Sequence, residues 1–562
     1  MHTWLKSLGA LIFFYWWIEQ IHAQTSSYRH YIVQLADKND SPYSLTQPEQ
    51  YLSSRALERR QRYNIPIDEL DLPVNPHYLA QIAQTGVRLG YASKWLNTVC
   101  IETDDSMALA AVRALPFVVS AQPIAARKKT RSSEPKLPHS TSSWSSDTYG
   151  LAWHQLHMLH GHVLHQAGYR GRDIHIALMD AGWYNTPYLD VFDSLFAYQK
   201  VLGTWNFVDG NDSVYIRSTH GTSVLSTISA FLPNVMTGTA PEASVYLFLT
   251  EDVYSEYPIE EHNWAVAAER ADSLGADIIS SSLGYSLFDD PAFDYSYADM
   301  NGQTALSSRA ASIAATRGMI VCSSAGNSGL DPWHYITAPA DADGILTVGA
   351  TDSTATITAF SSRGPTADGR IKPDVVALGI KTRVIDPALQ DPSLNGTNSI
   401  TYRGSGTSFS NPIVAGLVAC LWQKHRHLPP PVILDAIRRS ASRSFAPDDS
   451  FGFGVPNFAV ADLILSGQAP ASLQLNQPLL YPNPFSTSFG ILSYDTAAFD
   501  MNMEIYDITG RKIYAAEFSL AAGFNYLPVH ALQTAANGPY LLRLQRAGHV
   551  QLLRLIKQST RH

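Results

Sequence analysis

The chain has 562 residues, 40 basic and 49 acidic, with a formal net charge of -9 and 45% hydrophobic content. That length favours several domains, and that apolar fraction supplies large cores, which excludes a disordered or fibrous protein. No region concentrates the basic residues that a phosphate backbone demands, so nucleic acid is not an expected partner.

The first residues, "MHTWLKSLGALIFFYWWIEQIHAQ", place Lys6 ahead of an apolar stretch from Leu8 to Ile18. The stretch is short for a bilayer span and has the layout of a secretory signal, residues 1–23, cut after Ala23. Residues 25–127 then mix short strands, "HYIVQL" and "TVCIET", with helical stretches such as "PEQYLSSRALERRQRY". This is a small α+β unit. The following "RKKTRSSEPKLPHSTSSWSSDT", which contains residues 128–147, is polar and rich in Ser and Pro, as an exposed linker open to proteolytic nicking would be.

Residues 148–467 alternate apolar runs with helical segments. The runs are "DIHIALMD", "ASVYLFL", "ADIISSSLG", "MIVCSSAGN" and "ILTVGAT"; the helices are "HGTSVLSTISAFL", "HNWAVAAERADSLG" and "QTALSSRAASIAATRG". Strands with few polar positions, separated by helices, predict an α/β fold with a parallel sheet sandwiched by helices. Chemistry in such sheets gathers at loops beyond the strand C-termini. Residues 473–562 change character: "NMEIYDITGRKIYAAEF" and "GPYLLRLQRAGHVQLLRLIKQ" each read as two strands joined by a Gly-containing turn, which predicts a β-sandwich. Cys100, Cys322 and Cys420 are too few for a disulfide framework, and Cys322 and Cys420 are expected to be buried free thiols, with a bridge between the two as the alternative.

Polar residues mark the ends of these elements. Asp180 follows an apolar strand in "IHIALMDAG". His220 enters a helix in "STHGTSVLSTI", Asn327 ends a strand in "MIVCSSAGNSG", and Ser408 opens a helix in "GSGTSFSNPIVAG". A serine there is more often a helix cap than a nucleophile, so partners must decide. A serine hydroxyl needs an imidazole to take its proton, and the imidazole needs a carboxylate to fix its tautomer. The oxyanion that follows needs donors placed in advance, which Asn327 and the Ser408 backbone N–H would supply. Gly404 and Gly406 would let a substrate backbone come close, and Pro412 is expected near the first turn of the helix.

The order Asp, His, Ser, with "DAG", "HGTSV", "AGNSG" and "GTSFSNP" around the four residues, resembles the subtilisin-like serine protease family; "TAPEASVYLF", "SSSLG" and "FSSRGPTADGRIKPDVVALG" match it too. The resemblance implies a secreted endopeptidase with Asp180, His220 and Ser408 as triad and Asn327 in the oxyanion hole. Ser282, Leu283 and Gly284 would be the strand on which protein or peptide substrates pair. Two positions depart from the family pattern: Ala181 replaces a hydroxyl residue, and "FSNP" follows the nucleophile. By the same resemblance residues 25–127 are an inhibitory pro-domain, the chain's own intramolecular inhibitor, and 128–147 hold the maturation site. "YPNPF", "YDITGRKI", "NGPYLLRL" and the late Lys557 resemble the type IX secretion sorting domains of Bacteroidetes proteins. That implies delivery through the periplasm to the surface or medium by secretion machinery. The contrasting expectation is a surface binding protein that keeps the fold without turnover.

Other signals carry less. His154, His157, His160, His162 and His165 fall within a dozen residues, as on a partly exposed histidine-rich helix, without a zinc motif. Ser408 and Ser223 both lack the last glycine of a hydrolase elbow, and the acid and histidine precede the serine, which sets an esterase aside. No metal or cofactor is required. Structural calcium stays open, since Asp209, Asp212, Asp289 and Asp290 have no ligand spacing.

Overall fold

The computed structural model describes residues 28–126, 148–387, 400–467 and 478–558, except 445, 482, 486–488, 496, 521–522 and 547. The signal segment 1–23 and the linker 128–147 lie outside the described residues.

The N-terminal unit is a four-stranded antiparallel sheet, in the order Arg88–Ser93, Thr98–Glu102, Tyr28–Leu35, Val118–Ala126. Along Tyr28–Leu35 the side chains of Tyr31, Val33 and Leu35 are buried and alternate with less buried ones, as the two-residue period of a strand requires. They share one core with Ile82 and Val112 from the helices Pro76–Gln84 and Ser106–Arg113. A third helix, Ser54–Arg62, behaves differently: its buried residues are Ala56, Arg59 and Arg60.

The central unit is a seven-stranded sheet in which every pairing is parallel. Its order is Val375–Leu378, Leu346–Thr351, Ile320–Ser324, Ile278–Ser281, His175–Asp180, Ser244–Leu249, Val201–Asn206. The strand His175–Asp180 shows why its run has so few polar positions. Ile176 and Leu178 join a core with the helices His220–Ser229 and Thr407–Lys424, while Ala177 and Met179 join another with Ile259–Leu274 and Leu306–Thr316. Both faces are covered, so both must be apolar. The two outermost strands, Val201–Asn206 and Val375–Leu378, are additions to the runs legible in the sequence.

The C-terminal unit packs a three-stranded sheet, Leu479–Tyr481, Phe489–Asp495 and Gly523–Val529, on a four-stranded one, Lys512–Leu520, Phe499–Tyr506, Gly538–Arg546 and His549–Lys557. Phe489, Ile491, Met503, Ile505, Leu542 and Leu555 fill the space between them. Lys557 is buried, and its ammonium donates to the carbonyls of Leu532 (2.8 Å), Gln533 (2.8 Å) and Ala535 (2.6 Å), which closes the last strand onto a turn.

Cys100, Cys322 and Cys420 are free and buried, and burial pushes the Cys100 thiol up to about 12. The histidine stretch differs from expectation. It forms two short helices, Trp153–His157 and Gly161–Gln166, broken at His160, whose φ is 55°. His162 and His165 are buried, and the His165 ring nitrogens face Tyr149 Oη (3.2 Å) and the Thr239 carbonyl (2.9 Å). Packing against Tyr149 and Thr239 fixes the His165 ring, and Trp153 and His157 flank the His162 ring, so the expected partly exposed single helix is corrected. Among the described residues no group of three or more His, Cys, Asp or Glu is arranged to hold a metal ion.

Candidate active site

Three strand ends and two helix mouths meet at the carboxyl edge of the parallel sheet. Asp180 is the last residue of its strand and is fully buried. Its Oδ1 accepts from the Ala181 backbone N–H at 2.7 Å, and Oδ1 and Oδ2 lie 2.8 and 3.0 Å from His220 Nδ1. The missing hydroxyl at position 181 therefore leaves the carboxylate with a backbone donor. With Nδ1–H directed at the carboxylate, Nε2 is the ring nitrogen left to accept a proton. His220 opens the helix His220–Ser229, and its side chain stays 33% exposed, which keeps the ring in reach of a substrate. Its ring centroid lies 5.9 Å from that of Phe409, the residue after Ser408.

Behind Asp180 sits a second carboxylate. Glu251 is buried and receives hydrogen bonds from Tyr285 Oη (2.7 Å) and Thr250 Oγ1 (2.8 Å). Burial, with the nearby charge of Asp180 among the smaller causes, pushes it up to about 7.

Ser408 is not a helix cap. The helix Thr407–Lys424 has Gly406 as its N-cap, with no side-chain cap bond, and Ser408 lies in the first turn. Its Oγ donates to the Ser282 carbonyl at 3.3 Å. Pro412 stands in the second turn of this helix, further in than expected. Having no N–H, it cannot bond the carbonyl four residues back, that of Ser408. That carbonyl instead accepts from Ser282 Oγ at 2.9 Å. The proline thus frees the acceptor that ties the serine to the neighbouring strand end.

Asn327 and Gly406 complete the arrangement. The Asn327 side-chain oxygen accepts from Thr407 N (2.9 Å) and Thr407 Oγ1 (3.0 Å), which fixes the amide so that its NH2 group faces away from Thr407. A Cβ built on Gly406 would lie 3.6 Å from Asn327 Nδ2 and 3.7 Å from Ser408 N. Both nitrogens therefore border one space, kept open by a residue without a side chain. The φ of Gly406 is +149°, where other residues are strained. Gly404 plays another part than expected: a Cβ there would meet the Phe409 ring at 2.6 Å, so it makes room for that ring.

Ser282, Leu283 and Gly284 continue from the strand Ile278–Ser281, running from buried Ser282 to exposed Gly284. The Leu283 carbonyl accepts from Ser324 Oγ at 3.2 Å, and Asn411 Nδ2 donates to the Ser281 carbonyl at 3.0 Å. The unusual "FSNP" is thereby accounted for in part, since its asparagine braces this strand. Thr337 went unnoticed in the sequence; its Oγ1 would meet a Cβ on Gly284 at 2.2 Å, so it shapes the wall here. Nothing local in "YITAP" marks it. Ser223, by contrast, is structural, donating to the Ile385 carbonyl at 2.9 Å.

A parallel sheet with this polar set at its carboxyl edge defines a subtilisin-like fold, and the subtilase family matches residues 171–454. The chain belongs to that family, which is one of serine-type endopeptidases. The Bacteroidota peptidase S8 propeptide domain matches residues 30–139, and a secretion system C-terminal sorting domain, the mark of a secreted or cell-surface protein, matches 479–558.

Among curated relatives, serine protease AprX of Bacillus subtilis is 29% identical over 310 residues, 51% of this chain and 65% of AprX. The chain thus spans a little under two thirds of that relative. Subtilisin DY of Bacillus licheniformis is 28% identical over 291 residues, 51% of this chain and 89% of the relative. The solved structure of fervidolysin from Fervidobacterium pennivorans, described as a keratinolytic enzyme related to subtilisin, shares the fold with a TM-score of 0.52. It is 17% identical, with 95% of this chain and 77% of that one covered.

Proposed function

We propose that the chain is a secreted serine endopeptidase made as a zymogen, with Asp180, His220 and Ser408 as its triad. One observation carries this: the Asp180–His220 pair stands beside the helix mouth at which Asn327 Nδ2 and Ser408 N both border the space over Gly406. A substrate carbonyl in that space lies next to the Ser408 hydroxyl. His220 Nε2 takes the hydroxyl proton as Oγ attacks, and Asp180 holds the ring and stabilises the imidazolium. The two donors hold the oxyanion, aided by the helix N-terminus. His220 then delivers the proton to the leaving amine, and water releases the acyl group by the same route reversed. Ser282, Leu283 and Gly284 pair with the substrate backbone as an added strand.

In this reading residues 25–127 inhibit the enzyme until 128–147 are cut, and residues 473–562 deliver it through type IX secretion. Replacement of Ser by Ala at 408 tests the core of it. The Ser408→Ala chain is expected to keep residues 25–127 attached and to leave an unfolded protein substrate such as casein intact. Casein hydrolysis by that variant at the parent rate would overturn the assignment of the nucleophile.

A further inference from the structure

The helix Ser54–Arg62 is a puzzle for a domain whose role is to block a cleft, because it buries arginines rather than apolar side chains. Arg59 is 1% and Arg60 2% exposed. Their partners lie on the catalytic domain. Arg59 donates to the Asp272 carboxylate (2.5 Å) and to the carbonyls of Asp272 (3.1 Å), Arg317 (3.1 Å) and Ala276. Arg60 bridges Asp272 (3.0 Å) and Asp71 of its own domain (2.7 Å) and also reaches the Arg317 carbonyl. Arg55, one turn earlier, bonds Asp277 (2.6 Å) and the carbonyls of Gly275 (3.0 Å) and Asp173 (2.7 Å).

The acceptors on the catalytic domain are carbonyls and carboxylates at the ends of its elements. Asp272 to Ala276 close the helix Ile259–Leu274, Arg317 closes Leu306–Thr316, and Asp277 precedes the strand Ile278–Ser281. The last carbonyls of a helix have no partner within it, so two helices share the guanidinium of Arg59 as an external cap. In a parallel sheet the residues before the strands lie at the edge opposite the residues after them. Asp180, Ser282 and Asn327 follow strands; Asp277 and Arg317 precede them. The helix Ile259–Leu274 has 16 residues and separates the two edges by about 24 Å. Its amino end borders a cavity of about 340 Å³ that Ala125 and Ala126, the last described residues of the pro-domain, line together with Asp252 and Ser255.

We propose that the catalytic domain carries, at the sheet edge away from the cleft, a guanidinium socket that holds the arginine helix of its own pro-domain after the linker is cut. This rests on residues 25–127 being a pro-domain that is cut from the catalytic domain. The partner the surface fits is a helix with arginines at spacings of four and one, as at 55, 59 and 60. Arginine is required, since Arg59 serves four acceptors from one planar fork, whereas a lysine ammonium has three donors and no fork.

The test uses the full chain carrying Ser408→Ala and a recognition sequence for a highly selective added protease within residues 135–141. After the cut, size-exclusion chromatography over hours follows release of the pro-domain. The two fragments are expected to co-elute, and Arg59→Lys with Arg60→Lys to release the pro-domain at least about tenfold faster. Release at the parent rate would overturn the socket. Should that variant not fold, hydrogen exchange on the cut parent complex decides. Amides in 56–62 are expected to stay as protected as those in Tyr28–Leu35, and free exchange of 56–62 beside a protected sheet would overturn the proposal. Cutting is done from outside on a chain without Ser408, so the outcome is independent of whether Ser408 is a nucleophile.

Discussion

At residue 406 the backbone takes a φ of +149° and the missing side chain leaves a space bordered by a backbone and a side-chain nitrogen, Ser408 N and Asn327 Nδ2. The account requires both donors. Asn327→Ala removes one of them and is expected to lower kcat by about 100- to 1000-fold with little change in KM, read from peptide turnover. Gly406→Ala is expected to act in the same direction, because its methyl would stand in that space. A kcat for Asn327→Ala within about tenfold of the parent would contradict the role given to the amide. Asp180 and Asn327 were legible as polar residues after apolar strands, and His220 and Ser408 as polar residues at the mouths of apolar helices. Thr407, Phe409 and Thr337 were not: they act by holding an amide, flanking a ring and backing a glycine, contacts that only the folded chain creates.

Elements whose two faces meet two cores were the easiest to read, and the strand His175–Asp180 is the clearest case. The edge strands Val201–Asn206 and Val375–Leu378 escaped, the first because Gly203 and partial exposure break its apolar run, the second because it is only four residues long. The helix Ser54–Arg62 was visible as a helix, but its inward arginines follow from Asp272 and Asp71, far off in sequence or beyond a turn. The helix Ile259–Leu274 hides a similar surprise at its start. Glu261 is fully buried, accepting from Ser307 Oγ (2.6 Å) and Tyr295 Oη (2.6 Å), and burial pushes it up to about 7 despite those donors. The folded state therefore binds a proton that the unfolded state releases near pH 4.5. Its contribution to stability is complete below pH 4.5 and is lost as pH rises through 7, an effect of about 3 kcal/mol. Thermal unfolding from pH 5 to 9 is expected to show Glu261→Gln losing less stability at alkaline pH than the parent. Parallel declines in the two proteins would contradict this.

On the scale of the whole molecule, the three units touch in the order in which the chain joins them, the central one meeting each of its neighbours. The N-terminal unit lies along the helix Ile259–Leu274, from Arg59 on Asp272 near its end, through Trp95 on Glu269, to Thr98 beside His262 near its start. The C-terminal sandwich touches the catalytic unit where Leu492 packs on Val460 and Leu463 of the helix Phe458–Leu465. That is a small apolar contact, so removal of residues beyond 470 is expected to leave a folded catalytic unit that accumulates in the periplasm, as fractionation and blotting would detect. Undiminished export of the shortened chain would contradict the sorting role. The order of the three units was readable from the change of pattern along the chain and from the motifs in each; their mutual placement was not, since it depends on buried pairs such as Arg59–Asp272 that no local pattern announces.

The central claim is that Ser408 is a nucleophile activated by His220. Fluorophosphonate labelling of the mature protein, freed of residues 25–127, with the adduct mapped by mass spectrometry, tests it most directly. The account predicts a single adduct on Ser408 that disappears in His220→Ala. A correctly folded mature protein that takes no label at Ser408, or labels equally well without the imidazole, would contradict it.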